Sequence, residues 1–257
     1  MVKMSCHNSV LYRKGSHDKM TSTDTGKGVI FDLDGVLVDT GWAHRQAWYD
    51  LADKEGFQMS DEFFYSTFGM QNYQILSMLL GPQLPAQEIE RMSQWKEKRY
   101  RELIGQKLTL PAGVKELLDE LKNRGFLLAI GSSAPRANLE LIFRRLNLRH
   151  YFDAHITKEE VSKGKPSPET FLKAAEKLSL PPSRCVVVED AVQGVEAARA
   201  AGMPVIAVTT SRSRADLQKA DLIVDNLSEL TGDDFLKLLS QAAGLIDRRR
   251  IRDGKQK

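Results

Sequence analysis

Cysteine is scarce in this chain: Cys6 and Cys185 are the two thiols among 257 residues. They lie far apart and match no zinc-ligand spacing. Cys185 opens an apolar run and reads as a core thiol, a usage compatible with a reducing cytoplasm, where the protein is expected to reside. No apolar stretch is long enough to cross a bilayer as a helix. The N-terminus lacks the continuous apolar run of a signal peptide. A strong charge of one sign is missing too. Lys and Arg total 37 against 34 Asp and Glu, and the net charge of +3 is too small to imply a nucleic-acid partner. One local absence matters later: no Lys or Arg lies between Lys54 and Arg91. What is present is ordinary for a globular protein, with 42% hydrophobic and 28% charged residues. The length suits one large or two smaller domains.

Residues 1–27 are polar and without periodicity, and read as a mobile leader in which His7 and His17 are solvated. Val29, Ile30 and Phe31 form a short apolar run, read as a buried strand. Residues 42–109 then read as almost wholly helical, a cap domain inserted after that strand. From Leu110 the pattern changes to strands alternating with helices, which predicts an α/β fold with a parallel sheet covered on both faces. The expected core domain is therefore residues 28–41 and 110–245, followed by a basic tail, 246–257, read as a frayed, solvated end.

Polar groups stand at or just beyond four of these segments. Asp32 and Asp34 follow the first strand, and alternate residues of an extended chain point the same way. Two neighbouring carboxylates repel each other, so the pair calls for a cation or a shared proton. Ser132 ends the second strand, Lys165 lies in a loop before a helix, and Glu189 and Asp190 end a later strand. In a parallel sheet such ends share one edge, where ligands bind. Together they meet the needs of a phosphate monoester. Lys165, Ser132 and a divalent cation would neutralise its charge. Asp32 would be the nucleophile and Asp34 the general acid and base. The cation is expected to be Mg²⁺, held by Asp32 and Asp190 and keeping several waters.

The stretches Asp32-Leu33-Asp34-Gly35-Val36-Leu37-Val38-Asp39-Thr40, Gly131-Ser132-Ser133-Ala134-Pro135-Arg136, Lys163-Gly164-Lys165-Pro166-Ser167-Pro168 and Val187-Val188-Glu189-Asp190-Ala191-Val192-Gln193-Gly194 resemble the four motifs of the haloacid dehalogenase superfamily. Within it, the chain is similar to the β-phosphoglucomutase and sugar-phosphatase branch over residues 28–230. The resemblance implies a Rossmann-like core with a helical cap. It implies the roles just given, a metal ligand in the backbone carbonyl of Asp34, and Glu189 beside the metal ligand Asp190. Dehalogenases lack an acid at the Asp34 position, so phosphoryl transfer is implied. In the cap, His44, Trp48, Lys96 and Tyr100 resemble substrate-facing residues of this branch. The mutases carry an arginine for a second phosphate where this chain has Phe68-Gly69-Met70-Gln71-Asn72-Tyr73. The implied function is a Mg²⁺-dependent phosphatase of a small phosphorylated metabolite, a sugar phosphate by this resemblance. The alternative is a phosphosugar mutase. Neither membrane nor nucleic-acid partner is expected, and a monomer suffices for such a site.

Overall fold

The computed structural model describes residues 26–105 and 107–253, with side chains described as far as Gly244. Cys6, His7, His17 and nearly all of the expected leader lie outside the described residues, as does the end of the basic tail.

Six parallel strands form one sheet: β1 (Gly28–Phe31), β2 (Leu127–Gly131), β3 (Ala154–Ile156), β4 (Cys185–Glu189), β5 (Val205–Val208) and β6 (Leu222–Val224). Their order is β3-β2-β1-β4-β5-β6. This is the doubly wound, Rossmann-like order. The strands are apolar throughout because both faces are buried. Val29 and Phe31 pack with Leu128, Ile130, Val186 and Val188 on one face. Ile30 packs with Ala129, Val187 and Val205 on the other. Helices α5 (Val114–Asn123), α6 (Arg136–Leu146) and α9 (Gly232–Asp253) cover the first face, and α7 (Glu169–Lys177) and α8 (Val192–Ala200) the second.

Between β1 and β2 run four helices: α1 (Gly41–Glu55), α2 (Asp61–Thr67), α3 (Asn72–Leu80) and α4 (Ala86–Ile104). They share an apolar centre of Trp48, Leu51, Phe64, Phe68, Ile75, Leu76 and Met92. Helix α4 joins this group to the sheet, because Tyr100 and Ile104 near its end are buried in the core over β1. Helix α9 was not anticipated from sequence, although Phe235, Leu238 and Leu239 lie at helical spacing and are buried. Its backbone stays helical to Asp253, which corrects the expectation of a frayed end over that part of the tail.

Candidate active site

The site forms where the sheet changes direction. Strand β1 is central, with β2 on one side and β4 on the other, and the strand order reverses between β1 and β4. Phe31 pairs with Val188, and Asp32 donates its N–H to the Val188 carbonyl at 2.9 Å. Asp32 and the pair Glu189-Asp190 therefore leave adjacent strands at one level. Ser132 follows β2 on the other flank. Gly35 turns the chain with φ +87°, and any Cβ there would run into the Asp190 carboxylate.

Lys165, Asp32 and Glu189 form one buried charged cluster. Lys165 Nζ lies 2.5 Å from Asp32 Oδ1 and 2.5 Å from Glu189 Oε1. The other oxygen of Glu189 accepts the N–H groups of Asp190 and Ala191, each at 2.8 Å. Both Glu189 oxygens thus accept hydrogen bonds, and its carboxylate anchors Lys165 and the turn after β4. Gly194 of α8 makes room for this, since a Cβ there would overlap the Glu189 carboxylate. Burial raises the Asp32 carboxyl to about 7, with Glu189 adding to the rise and Lys165 opposing it. Burial also lifts Asp190 well above the usual carboxylate range, helped by Glu189 and Asp32. On Lys165, burial opposes the charge, but Asp32 and Glu189 outweigh it and hold the ammonium above its ordinary range.

These carboxylates fit a cation. Asp190 Oδ2 is buried with no hydrogen-bond partner, a costly state that a positive ion would relieve. Among the described residues, no three His, Cys, Asp or Glu side chains converge as a ready-made metal cage. Mg²⁺ does not require one, because it binds through one or two carboxylates and completes its shell with water and substrate phosphate.

Asp34 points to the other side, toward the inserted helices, and its side chain is not with the metal-binding candidates. Its Oδ1 accepts from Thr40 Oγ1 at 2.5 Å and Tyr100 OH at 2.7 Å, and His44 Nε2 lies 3.2 Å away. Burial alone would raise this carboxyl, but the hydrogen bonds from His44, Thr40 and Tyr100 outweigh it and hold the carboxyl below its ordinary range. Tyr100 is kept protonated, pushed up by burial and by Asp34, and so remains a donor. His44 stacks on the Tyr100 ring at 3.9 Å. Its Nδ1 lies 2.7 Å from Lys96 Nζ. Trp48 flanks Lys96, whose Nζ is 5.5 Å from the ring centre.

A cavity of about 60 Å³ lies between sheet edge and helices, lined by Asp32, Asp34, His44, Trp48, Lys96 and Ser132 among others. These residues thus share one space, while Tyr100 sits behind Asp34. Ser132 accepts the Ala134 N–H at 3.0 Å, which leaves its hydroxyl proton free to donate. Several participants went unnoticed. Ser133 lines the cavity with a buried, unpartnered hydroxyl. Thr40 precedes α1 and looks like its N-cap, yet makes no capping bond and serves Asp34 instead. Glu97 of α4 is 6% exposed and accepts from Lys96 at 2.9 Å, Asn72 at 2.8 Å and Asn138 at 2.6 Å.

Glu97 gives a pH-dependent expectation. Burial would raise its carboxyl, but the Lys96 charge and the hydrogen bonds from Lys96 and Asn138 bring it from the ordinary 4.5 to about 2. A carboxyl held down in the folded state stabilises it above the unfolded value and loses that contribution as pH falls toward the folded one. The shift corresponds to about 3 kcal/mol. Urea unfolding of wild type should weaken between pH 5 and 3 more steeply than that of Glu97→Gln. Parallel curves would show that this carboxylate is not held down.

Comparison with known proteins agrees with this geometry. Residues 29–208 match the family model "Haloacid dehalogenase-like hydrolase". The 5-amino-6-(5-phospho-D-ribitylamino)uracil phosphatase of Arabidopsis thaliana chloroplasts is 33% identical over 82% of this chain, which spans 57% of that protein's length. Fructose-1-phosphate phosphatase YqaB of Escherichia coli is 31% identical over 70% of this chain and 95% of its own. The crystal structure of β-phosphoglucomutase from Clostridium difficile superposes with a TM-score of 0.77 at 28% identity, covering 84% of this chain and 98% of that one. With its motifs seated at one sheet edge and more than half its length matched, the chain belongs to the haloacid dehalogenase-like hydrolases.

Proposed function

We propose that the chain is a Mg²⁺-dependent phosphatase that hydrolyses a small phosphorylated metabolite, a sugar phosphate by class. One observation carries this reading. Asp32 and Ser132 line the cavity and Lys165 Nζ holds Asp32 at 2.5 Å, whereas Lys96, the one cation lining that cavity among the described residues, already has Glu97 as counter-ion. The site therefore has charge for one phosphate and no free cation to grip a second. Sugar-phosphate and sugar-like substrates in the names of several relatives support the class.

Each side chain has a task in this reading. Lys165 holds Asp32 Oδ1, leaving Oδ2 as the attacking oxygen. Asp32 Oδ2 bonds to phosphorus as the ester P–O bond breaks, giving an aspartyl-phosphate. Asp34 hands a proton to the leaving oxygen. Water then attacks phosphorus, loses a proton to Asp34, and the Asp32–phosphorus bond breaks to free phosphate. The proton taken from water in one turnover is the one given to the leaving group in the next. Asp34, held as a carboxylate with Oδ2 free, is set for the water step. Ser132 and Lys165 hold the phosphoryl oxygens. Asp32, Asp190 and the Asp34 carbonyl would hold Mg²⁺, which supplies neutralising charge to those oxygens. The cavity is far below the roughly 300–1,000 Å³ of usual ligand pockets. The inserted helices must therefore part to admit the ester and close to exclude water.

A phosphate-release screen over sugar phosphates, nucleotides and small acid phosphates tests the proposal. At least one monophosphate should be hydrolysed, EDTA should stop release, and added Mg²⁺ should restore it. Activity indifferent to chelation removes the metal role. The His44–Lys96 pair favours a second reading, a mutase. Glucose 6-phosphate formed from β-glucose 1-phosphate in the presence of a bisphosphate primer, without net phosphate release, would establish that reading instead.

A further inference from the structure

We infer that Glu97, clasped by Asn138 of the core, is a positioning residue that makes the alignment of Asp34 depend on closure of the inserted helices. The inference rests on the phosphatase reading above.

The chain of contacts begins and ends in the core. Asn138 lies on α6, just after the Ser132–Ala134 loop, and is fully buried. Helix α4 grips it twice: Arg101 donates to its carbonyl oxygen at 2.9 Å, and its amide donates to Glu97 Oε2 at 2.6 Å. Glu97 Oε1 then holds Lys96 at 2.9 Å, and Lys96 reaches His44 Nδ1 at 2.7 Å. His44 faces Asp34, back in the core. An ammonium has donors and no acceptor. His44 Nδ1 must therefore accept from Lys96, which places the ring proton on Nε2, directed at Asp34 Oδ1. Three donors then crowd Oδ1, and Oδ2 is left to exchange protons. Without Glu97, Lys96 has one fewer anchor and no counter-ion, and the ring loses what fixes its tautomer. Asn138 is the core's share of this arrangement, so the contacts are complete only when α4 sits down on α6.

Glu97 is not a substrate-binding group in this scheme, because all three of its hydrogen bonds go to protein donors. Its two neighbours on α4, Lys96 and Lys98, make it look like part of a solvated charged face in sequence.

The test uses the full-length protein and para-nitrophenyl phosphate. Glu97→Gln and Asn138→Ala should each lower kcat by roughly 10- to 100-fold, the range for misplaced groups, with KM within roughly threefold of wild type. In a His44→Ala background the same changes should cost less than roughly twofold further, since their effect passes through His44. Unchanged kcat, a rise in KM alone, or an equal loss in both backgrounds overturns the inference. A second readout is independent of turnover. Trp48 is 2% exposed beneath Lys96. With Trp42→Phe and Trp95→Phe as background, Asn138→Ala should shift Trp48 emission to longer wavelength without lowering the folded fraction. Unshifted emission also overturns the inference. A wild type that releases no phosphate from any ester sinks the phosphatase reading, while the Trp48 measurement still judges the joint.

Discussion

Asp32→Asn should lower phosphate release by at least about a thousandfold while the protein stays folded. The substitution keeps the shape, and the amide oxygen can still accept from Lys165, but the attacking oxygen anion is gone. Folding should not suffer, for an electrostatic reason. Burial holds the Asp32 carboxyl at about 7, so the folded state resists its ionisation. A carboxyl raised in this way favours folding at low pH and loses that contribution as pH climbs from the unfolded value, near 4, through about 7. The neutral amide escapes the loss. At pH 8, without Mg²⁺, Asp32→Asn should therefore match or exceed wild type, by up to roughly 4 kcal/mol in urea unfolding. A mutant with a tenth or more of wild-type turnover ends the nucleophile assignment. A mutant that is unfolded at pH 8 ends the electrostatic account.

Lys165→Met should have the second largest effect, on stability as well as activity. Lys165 is 1% exposed and is the common partner of Asp32 and Glu189. Methionine fills much of the volume but leaves these carboxylates facing Asp190 with no opposing charge. Removing one partner of a buried ion pair costs roughly 3–5 kcal/mol, because the remaining charge stays desolvated. Phosphate release should vanish, since the phosphoryl group loses its nearest cation. The stability loss should shrink as pH falls from 8 to 5.5, where the abandoned Asp32 carboxyl takes up a proton. Glu189→Gln, which removes an anion and keeps the lysine, should cost less. A Lys165→Met protein as stable as wild type at pH 8 would show that the cluster does not depend on this ammonium.

The parts of the site carried by local pattern were legible in the sequence. Asp32 and Asp34 follow an apolar run and so stand at one sheet edge, but β1 ends at Phe31 and the turn at Gly35 sends their side chains apart, against the expectation from strand alternation. Ser132 and Glu189-Asp190 are also strand-end residues, so the alternation of strands and helices places them. Lys165 was reached through its motif, and its burial was not foreseeable from a loop rich in Lys, Ser and Pro. What escaped depends on which helix faces which. Glu97 stands among lysines on a heavily charged helix, and only packing of α4 against α6 brings it to Asn138. Thr40 stood where a helix cap belongs, and the preference of threonine for that position masked its use by Asp34. Glu189 was expected beside the metal ligand Asp190; its bonds to Lys165 and to the turn after β4 come from tertiary packing that no local pattern reveals.

The helices α1–α4 enter the chain at the turn just after the reacting strand, whereas β1 itself lies in the middle of the sheet with a partner on either side. In the proposed phosphatase the attacking group is thus mounted beside a central strand, and the walls that would meet the leaving group belong to a separate inserted segment. Substitutions in that segment can redirect which alcohol is released without disturbing how the phosphorus is attacked, so selectivity and reactivity are free to diverge independently within one polypeptide.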